Sequence, residues 1–84
     1  MEGQRLIFKD STVIENGRAG LADGFLWLWM PITMQEAAQI ALNPAVTGKI
    51  YFVYGEEEAV YTGYTVCRNL MQDGGEVAVC LVKG

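Results

Sequence analysis

The most informative absence in this 84-residue chain is that of histidine. Histidine is the commonest general base of enzymes and the commonest zinc ligand, and no Ser-His or Cys-His nucleophile can be built without it. The two cysteines alone cannot complete a structural zinc site. A glycine-rich phosphate loop is also missing, because Gly17 and Gly20 are not followed by a helix. The sequence therefore predicts no enzyme activity, no metal site and no cofactor.

Charged residues are scarce, at 19% of the chain, and the six Lys and Arg are outnumbered by ten Asp and Glu, for a net charge of −4. No basic stripe is present to neutralise phosphates, so we expect no nucleic-acid binding. Apolar residues make up 51% of the chain. Because so few polar side chains are left to cover the surface, we expect an apolar patch in contact with a protein partner, as in a homo-oligomer.

Long hydrophobic runs are absent as well. The longest apolar run, Phe25–Met30, is far shorter than the roughly 20 residues of a membrane-spanning helix. The first residues include Glu2 and Arg5 and lack the apolar stretch of a secretory signal. We therefore expect no membrane association and a location in the cytoplasm of the producing cell, or in a virion if the protein is a virion component.

Turn dipeptides divide the chain into short segments. Asn16-Gly17, Asp23-Gly24 and Asp73-Gly74 all favour tight hairpins. Residues 5–9 and 12–15 are predicted to be strands, whereas 17–24 could be a strand or a loop. Phe25–Met30 is apolar at every position, which is typical of a central strand that is covered on both faces.

One helix is predicted over residues 33–43. Thr33 followed by Glu36 matches a capping box, and Pro44 ends the helix. Its apolar stripe consists mostly of small residues, which allows close approach to a sheet: Met34, Ala37, Ala38 and Ala41.

The last third predicts a three-stranded meander of Lys49–Tyr54, 59–71 and Glu76–Lys83, with a bulge or bend at Gly63. The chain is therefore predicted to be a single α+β domain, residues 1–84, with one helix and a twisted antiparallel sheet of about five or six strands. If the uncharged final strand lies at a sheet edge, it could pair with a neighbouring chain. It could equally lie inside the sheet.

The two cysteines are predicted to be neighbours across the last hairpin. A two-residue turn at Asp73-Gly74 places Cys67 directly opposite Cys80, on the face away from the core. They lack the CxxC spacing of redox motifs, so we expect a reduced cross-strand pair.

The aromatic residues allow more than one interpretation. Tyr51, Tyr54, Tyr61 and Tyr64 lie on two adjacent predicted strands and could form a protein interface or simply belong to the core. Trp27 and Trp29 share one face of a strand and could stack on a ligand, although an all-apolar strand favours burial. The acidic run at 56–58 is expected to be a solvated turn rather than a calcium site.

Several stretches together resemble small uncharacterised proteins of phage and prophage gene sets of gut bacteria, encoded near virion structural genes. These are residues 7–10, 14–17, 26–29, 33–38, 54–56 and 79–82. The similarity covers nearly the whole chain and implies a structural or assembly role. None of these stretches is a functional motif, so the resemblance carries over no catalytic or binding residues.

Three functions follow, in order of preference. The first is a non-enzymatic protein–protein interaction or assembly module, such as a phage structural-cassette protein, which predicts oligomers and a flat apolar patch. The second is a small domain that binds a carbohydrate-like ligand in a concave aromatic pocket. The third is a minimal carboxylate-dependent enzyme, which requires two convergent carboxylates with at least one perturbed pKa.

Overall fold

Eight antiparallel strands and two helices make up the computed structural model, which describes residues 3–84. The strands are β1 (Gln4–Phe8), β2 (Val13–Glu15), β3 (Arg18–Ala22), β4 (Phe25–Met30), β5 (Lys49–Tyr54), β6 (Glu57–Thr62), β7 (Tyr64–Asp73) and β8 (Glu76–Lys83). The helices are α1 (Met34–Ala41) and α2 (Pro44–Thr47). The antiparallel α+β arrangement predicted from the sequence is confirmed, but the strands outnumber the five or six expected.

The strands form two sheets, and not the single sheet that the sequence predicted. Sheet A has the order β2-β1-β5-β6, and sheet B has the order β3-β4-β8-β7. The predicted meander is therefore divided, with β5 and β6 in sheet A and β7 and β8 in sheet B. Two bent segments join the sheets: β2 continues into β3 at Asn16 and Gly17, and β6 continues into β7 at Gly63. Strands that switch sheets in this way form the corners of two-sheet folds.

Both corners depend on glycine. Gly63 has a φ of +81°, its N–H donates to the Gly48 carbonyl at 2.9 Å, and its carbonyl accepts from the Gly84 N–H at 2.9 Å. The predicted bend at Gly63 is thus confirmed. Gly17 is buried, and a Cβ there would lie 2.9 Å from Leu6 Cδ1. Asn16-Gly17 is therefore a corner rather than the hairpin that the dipeptide predicted.

The interior between the sheets is filled by alternate residues of each strand. In β4, Leu26, Leu28 and Met30 are fully buried. The same alternation buries Leu6 and Phe8 in β1, Ile50 in β5, and Val77, Val79 and Leu81 in β8. These residues belong to one hydrophobic cluster, to which both sheets contribute. The two sheets therefore share a single core.

The predicted capping box at the start of α1 is present. Thr33 Oγ1 accepts from the Glu36 N–H at 3.1 Å, and Glu36 Oε1 accepts from the Thr33 N–H at 3.0 Å. Ala37 and Ala41 are fully buried, so the helix packs closely on the core. Within residues 3–84, neither helix combines the length and hydropathy that crossing a membrane requires.

The single helix predicted over 33–43 is corrected to two. α1 ends at Ala41, and the Asn43 side chain then accepts from the Ala45 N–H at 3.0 Å as the cap of α2. The proline that ends one helix occupies the first position of the next, where its missing N–H costs nothing.

The final strand lies inside sheet B. β8 pairs with β4 on one side and with β7 on the other. Of the two alternatives that the sequence left open for the final strand, a free edge and an interior position, the structure has the interior position. The uncharged sequence between Glu76 and Lys83 reflects burial among strands, because its inward and outward positions are both covered.

Candidate functional site

The outer surface of sheet B carries the largest aromatic side chains of the chain. Because Leu26, Leu28 and Met30 point into the core, the alternate residues Phe25, Trp27 and Trp29 point outward. All three remain partly exposed. The prediction that Phe25–Met30 is covered on both faces, with the tryptophans in the core, is therefore wrong. An all-apolar strand can also arise when its outer face is a flat aromatic surface.

Small residues flank the two tryptophans. Gly20 of β3 and Cys80 of β8 lie directly opposite Trp27 on its two sides, and Ala78 of β8 lies opposite Trp29. Ala78 and Cys80 are 3% and 5% exposed although they belong to the outer face, because the larger neighbouring side chains shield them. The two indole rings lie beside each other, with centroids 6.4 Å apart and planes inclined by 21°.

Two arginines and a methionine complete this surface. The Arg18 guanidinium lies 4.7 Å from the Trp29 ring centroid and contacts Glu76 Oε1 at 2.9 Å. Arg68 lies 5.7 Å from the Phe25 ring centroid. Met71 of β7 is directly opposite Ala78 and is 47% exposed. We call this surface the aromatic face; its residues are Arg18, Phe25, Trp27, Trp29, Arg68, Met71, Ala78 and Cys80.

The predicted opposition of Cys67 and Cys80 is corrected. The β7–β8 turn is at Gly74-Gly75 rather than Asp73-Gly74, which shifts the register by two. A bulge between Cys67 and Asn69 then pairs Cys67 with the core residue Leu81 and Asn69 with Cys80. Paired residues share a face, so the two thiols lie on opposite faces of sheet B. Both are free, and burial raises the pKa of the Cys80 thiol.

The four tyrosines do not form one surface. Tyr64 is 7% exposed and belongs to the core, so for this residue the core alternative holds and not the interface one. Tyr51 is on the outer face of sheet A, opposite Ile7 and Val60. Tyr54 and Tyr61 line a cleft between β3 and the β5–β6 hairpin. Tyr61 and Tyr64 lie in different sheets because the chain leaves sheet A at Gly63. The single strand predicted over 59–71 would have kept them in one sheet.

That cleft has a volume of about 280 Å³. It is lined by Ala19, Phe52, Tyr54, Glu57, Glu58, Ala59 and Tyr61. Of the predicted solvated acidic turn, only Glu56 lies in the turn itself, while Glu57 and Glu58 begin β6. Within residues 3–84, no group of three or more side chains is arranged to hold a metal ion.

A second cavity of about 370 Å³ lies between α1 and the β1–β2 turn and contains two carboxylates. Hydrogen bonds from Thr12 hold the pKa of the Asp10 carboxyl below its usual range, so this group stays ionised near neutral pH. The Glu36 carboxylate accepts from the Thr33 N–H in the capping box. Each carboxylate is therefore hydrogen-bonded within its own turn.

In comparisons with protein-family models, curated proteins and solved structures, no match to this chain was found.

Sequence reasoning identified Trp27 and Trp29 as possible stacking residues but missed their neighbours Arg18, Arg68 and Met71. The two tryptophans can be recognised from β4 alone, because side chains alternate between the two faces along a single strand. The other residues come from β3 and β7, whose positions beside β4 and β8 depend on the bulges and on the corner at Gly17. The Asp23-Gly24 turn is a sequence signal for the β3–β4 pairing and could have placed Arg18 opposite Trp29, whereas no signal marks the bulges that set the register of β7.

Proposed function

We propose that this chain is a non-enzymatic protein–protein interaction module, which pairs with a second copy of itself through the aromatic face. The observation that carries this proposal is the partial exposure of Trp27 and Trp29, side by side on the outer face of sheet B between Arg18 and Met71. Tryptophan, arginine and methionine are enriched at protein interfaces, and tryptophan and arginine dominate their energetic centres.

The size of the face suits contact with an identical face, and one of its two arginine charges is already paired. The molecule measures 33 × 26 × 26 Å, and a standard interface buries about 800 Å² on each partner, which one whole side of the protein can supply. The Arg18 charge is already matched by Glu76. Two such sheets can pack face to face at about 10 Å, as in sandwich folds. Self-pairing of this kind needs no free strand edge, so it is compatible with the interior position of β8.

The setting of this role is supported by the sequence resemblance alone. Proteins encoded near virion genes act in assembly, and a dimer or higher oligomer of a small domain suits that role. The cytoplasmic location in the producing cell, the presence in a virion and the absence of nucleic-acid partners remain predictions.

A pair of arginine substitutions tests the proposed contact. Met71 and Val60 are 47% and 46% exposed, both point outward from strands, and they lie on different sheets. A charge introduced where a side chain is buried by the partner disrupts the contact, whereas the same charge on a free surface is tolerated. We expect Met71→Arg to shift the mass in light scattering, measured over a range of concentrations, to that of a monomer. Val60→Arg should keep the mass of the unmodified protein.

Two results would contradict this proposal: a strictly monomeric unmodified protein, or dissociation by Val60→Arg rather than Met71→Arg. Circular dichroism of both variants establishes that each is folded before the masses are compared.

A carbohydrate-binding function is the second candidate, because the two indole rings are nearly parallel and partly exposed. Flat aromatic surfaces stack on flat apolar ligand faces. In that case the protein is a monomer, and an oligosaccharide shifts the tryptophan emission without a change in mass. Loss of that shift in Trp27→Ala, with Tyr51→Ala as a control on sheet A, would favour this function over self-association.

A further inference from the structure

The cleft between β3 and the β5–β6 hairpin is distinct from the aromatic face. In the hairpin, Tyr54 pairs directly with Glu57, and Phe52 pairs with Ala59. Paired residues point to the same side of a sheet, and Phe52 packs against the core. These side chains are therefore on the inward side of sheet A, where its hairpin extends towards sheet B.

The cleft is open because two of its inward positions carry alanine. Ala59 of β6 lies opposite Phe52, and Ala19 of β3 faces the same space from the other sheet. Larger side chains at these positions would fill the volume of about 280 Å³. The opening is thus a consequence of side-chain size at the point where two sheets separate.

The walls of the cleft are aromatic and its charged groups are acidic. Tyr61 is held in place by the core and by an edge-to-face contact with Tyr64, with ring centroids 6.4 Å apart. Tyr54 is 59% exposed at the mouth. Glu57 is an exposed carboxylate on this inward side, whereas Glu58 pairs with Val53 on the outer side of sheet A, and neither Lys nor Arg is among the lining residues.

We propose that this cleft binds an organic cation, an alkylated ammonium or guanidinium group whose carbon atoms contact the rings of Phe52, Tyr54 and Tyr61. Aromatic rings attract such cations through their electron-rich faces, and neighbouring carboxylates add a favourable field. A bare metal ion fits less well, because the rings supply no ligands for it. The cation could be a free amine or the Lys or Arg side chain of another protein.

The first experiment titrates the protein with choline and, separately, with 3,3-dimethyl-1-butanol, its uncharged counterpart of the same shape. Methyl resonances of Ala19 and Ala59 report on the cleft by NMR. We expect choline at millimolar concentration to shift both methyls, and the neutral alcohol to bind at least several-fold more weakly. Equal binding of the two compounds, or no shift of these methyls with choline, would overturn the proposal.

Neighbouring substitutions test the residues. Glu57→Gln removes a carboxylate of the cleft, and Glu56→Gln removes the same charge one residue outside it. We expect the first to weaken choline binding about two- to fivefold, the effect of losing one exposed charge contact, and the second to leave it nearly unchanged. If both variants weaken choline binding equally, the carboxylates act only through the overall charge of the protein and not through a contact in the cleft. That result would contradict the proposal.

A second matched pair tests the ring. Tyr54→Leu keeps an apolar side chain but removes the π-face, whereas Tyr51→Leu makes the same change on the outer face of sheet A. The loss of one exposed cation–π contact should weaken binding about two- to fivefold in Tyr54→Leu only. Unchanged affinity in Tyr54→Leu would exclude Tyr54 from the site as proposed.

The source of the cation is decided by comparing methylguanidinium with a short peptide that presents arginine between glycines. Tighter binding of the peptide identifies a protein side chain as the ligand, and equal binding identifies a free organic cation. The site does not depend on self-association, so Met71→Arg should bind choline as the unmodified protein does. Failure of one proposal is therefore distinguishable from failure of the other.

Discussion

Arg18 makes two contacts that normally compete for an exposed arginine. Its guanidinium lies over the Trp29 ring at 4.7 Å, and the same group donates to Glu76 Oε1 at 2.9 Å. The planar guanidinium can stack and form an ion pair at once, which an ammonium group cannot do. Since Arg18 is at the start of β3 and Glu76 is at the start of β8, this residue connects two strands that are separated by β4.

The stacking contact should be worth more than the ion pair. We expect Arg18→Lys, which keeps the charge but loses the stack, to lower the free energy of unfolding by about 0.5–1 kcal/mol. Glu76→Gln, which removes only an exposed ion pair, should cost less than about 0.5 kcal/mol. Urea denaturation monitored by tryptophan fluorescence measures both. If Glu76→Gln lowers the free energy of unfolding more than Arg18→Lys does, the ion pair is worth more than the stacking contact and this prediction is wrong.

The two thiols should react at different rates. Burial raises the pKa of Cys80, with a smaller opposing effect of Arg68, so the reactive thiolate is scarce near the ordinary thiol pKa of about 8.5. We expect Cys80 to be alkylated by iodoacetamide more slowly than Cys67 in the folded protein, and its rate to keep rising with pH beyond that value. In denaturant the two rates should become similar.

Because Cys67 and Cys80 are on opposite faces of sheet B, a mild oxidant should form no disulfide within the chain. Mass spectrometry after oxidation and alkylation tests this expectation. A disulfide between them in the folded protein would contradict the observed register.

At the scale of the elements, the corners decide how strands become two sheets. A strand bends sharply where a residue with positive φ interrupts the ladder, as at Gly63, or where the backbone lies against a buried side chain and leaves no room for a Cβ, as at Gly17 over Leu6. Each corner lets one continuous segment pair with sheet A along its first part and with sheet B along its second.

Alanine substitutions of glycine should therefore have unequal costs. Gly63→Ala forces a left-handed conformation on an L-residue, which costs about 1–2 kcal/mol. Gly17→Ala brings a Cβ against the buried Leu6 side chain, and overpacking of this kind costs about 1–3 kcal/mol. Gly75 lacks a positive φ and has open space, so Gly75→Ala should change stability by less than about 0.5 kcal/mol. Thermal or urea unfolding of the three variants measures how much stability each substitution costs.

At the scale of the whole molecule, one core serves both sheets. Leu28 of sheet B and Leu6 of sheet A are fully buried members of the same cluster. Since neither sheet has a hydrophobic core of its own, the two should unfold together in a single transition.

Leu28→Ala tests this coupling. Removal of a fully buried leucine side chain should lower the free energy of unfolding by about 2–5 kcal/mol. If the sheets unfold as one unit, the hydrogen-exchange protection of amides in β1 and β5 should fall by the same amount as in β4 and β8. Val60→Ala, on the outer face, should cost less than about 1 kcal/mol. Protection that falls in sheet B alone would show that the sheets are separate folding units.

The features that sequence reasoning predicted correctly are local. The capping box of Thr33 and Glu36, the hairpin at Asp23-Gly24, the bend at Gly63 and the strands Lys49–Tyr54 and Glu76–Lys83 each depend on residues a few positions apart. Features that depend on pairing were missed. The β7–β8 register shifted because Gly74-Gly75 forms the turn in place of Asp73-Gly74, and bulges in β7 shifted it again.

The sequence by itself determined the secondary structure type, the hydrophobic periodicity of the strands and the exclusion of histidine chemistry, because these depend on composition and on neighbours along the chain. Only the tertiary structure decided which apolar residues are exposed. Leu28 and Trp27 are adjacent and both apolar, yet one fills the core and the other lies on the aromatic face. Likewise, Tyr54 and Tyr64 belong to different surroundings because the chain changes sheets at Gly63 between them. A strand has two faces, and the packing of other strands decides which of them meets the interior.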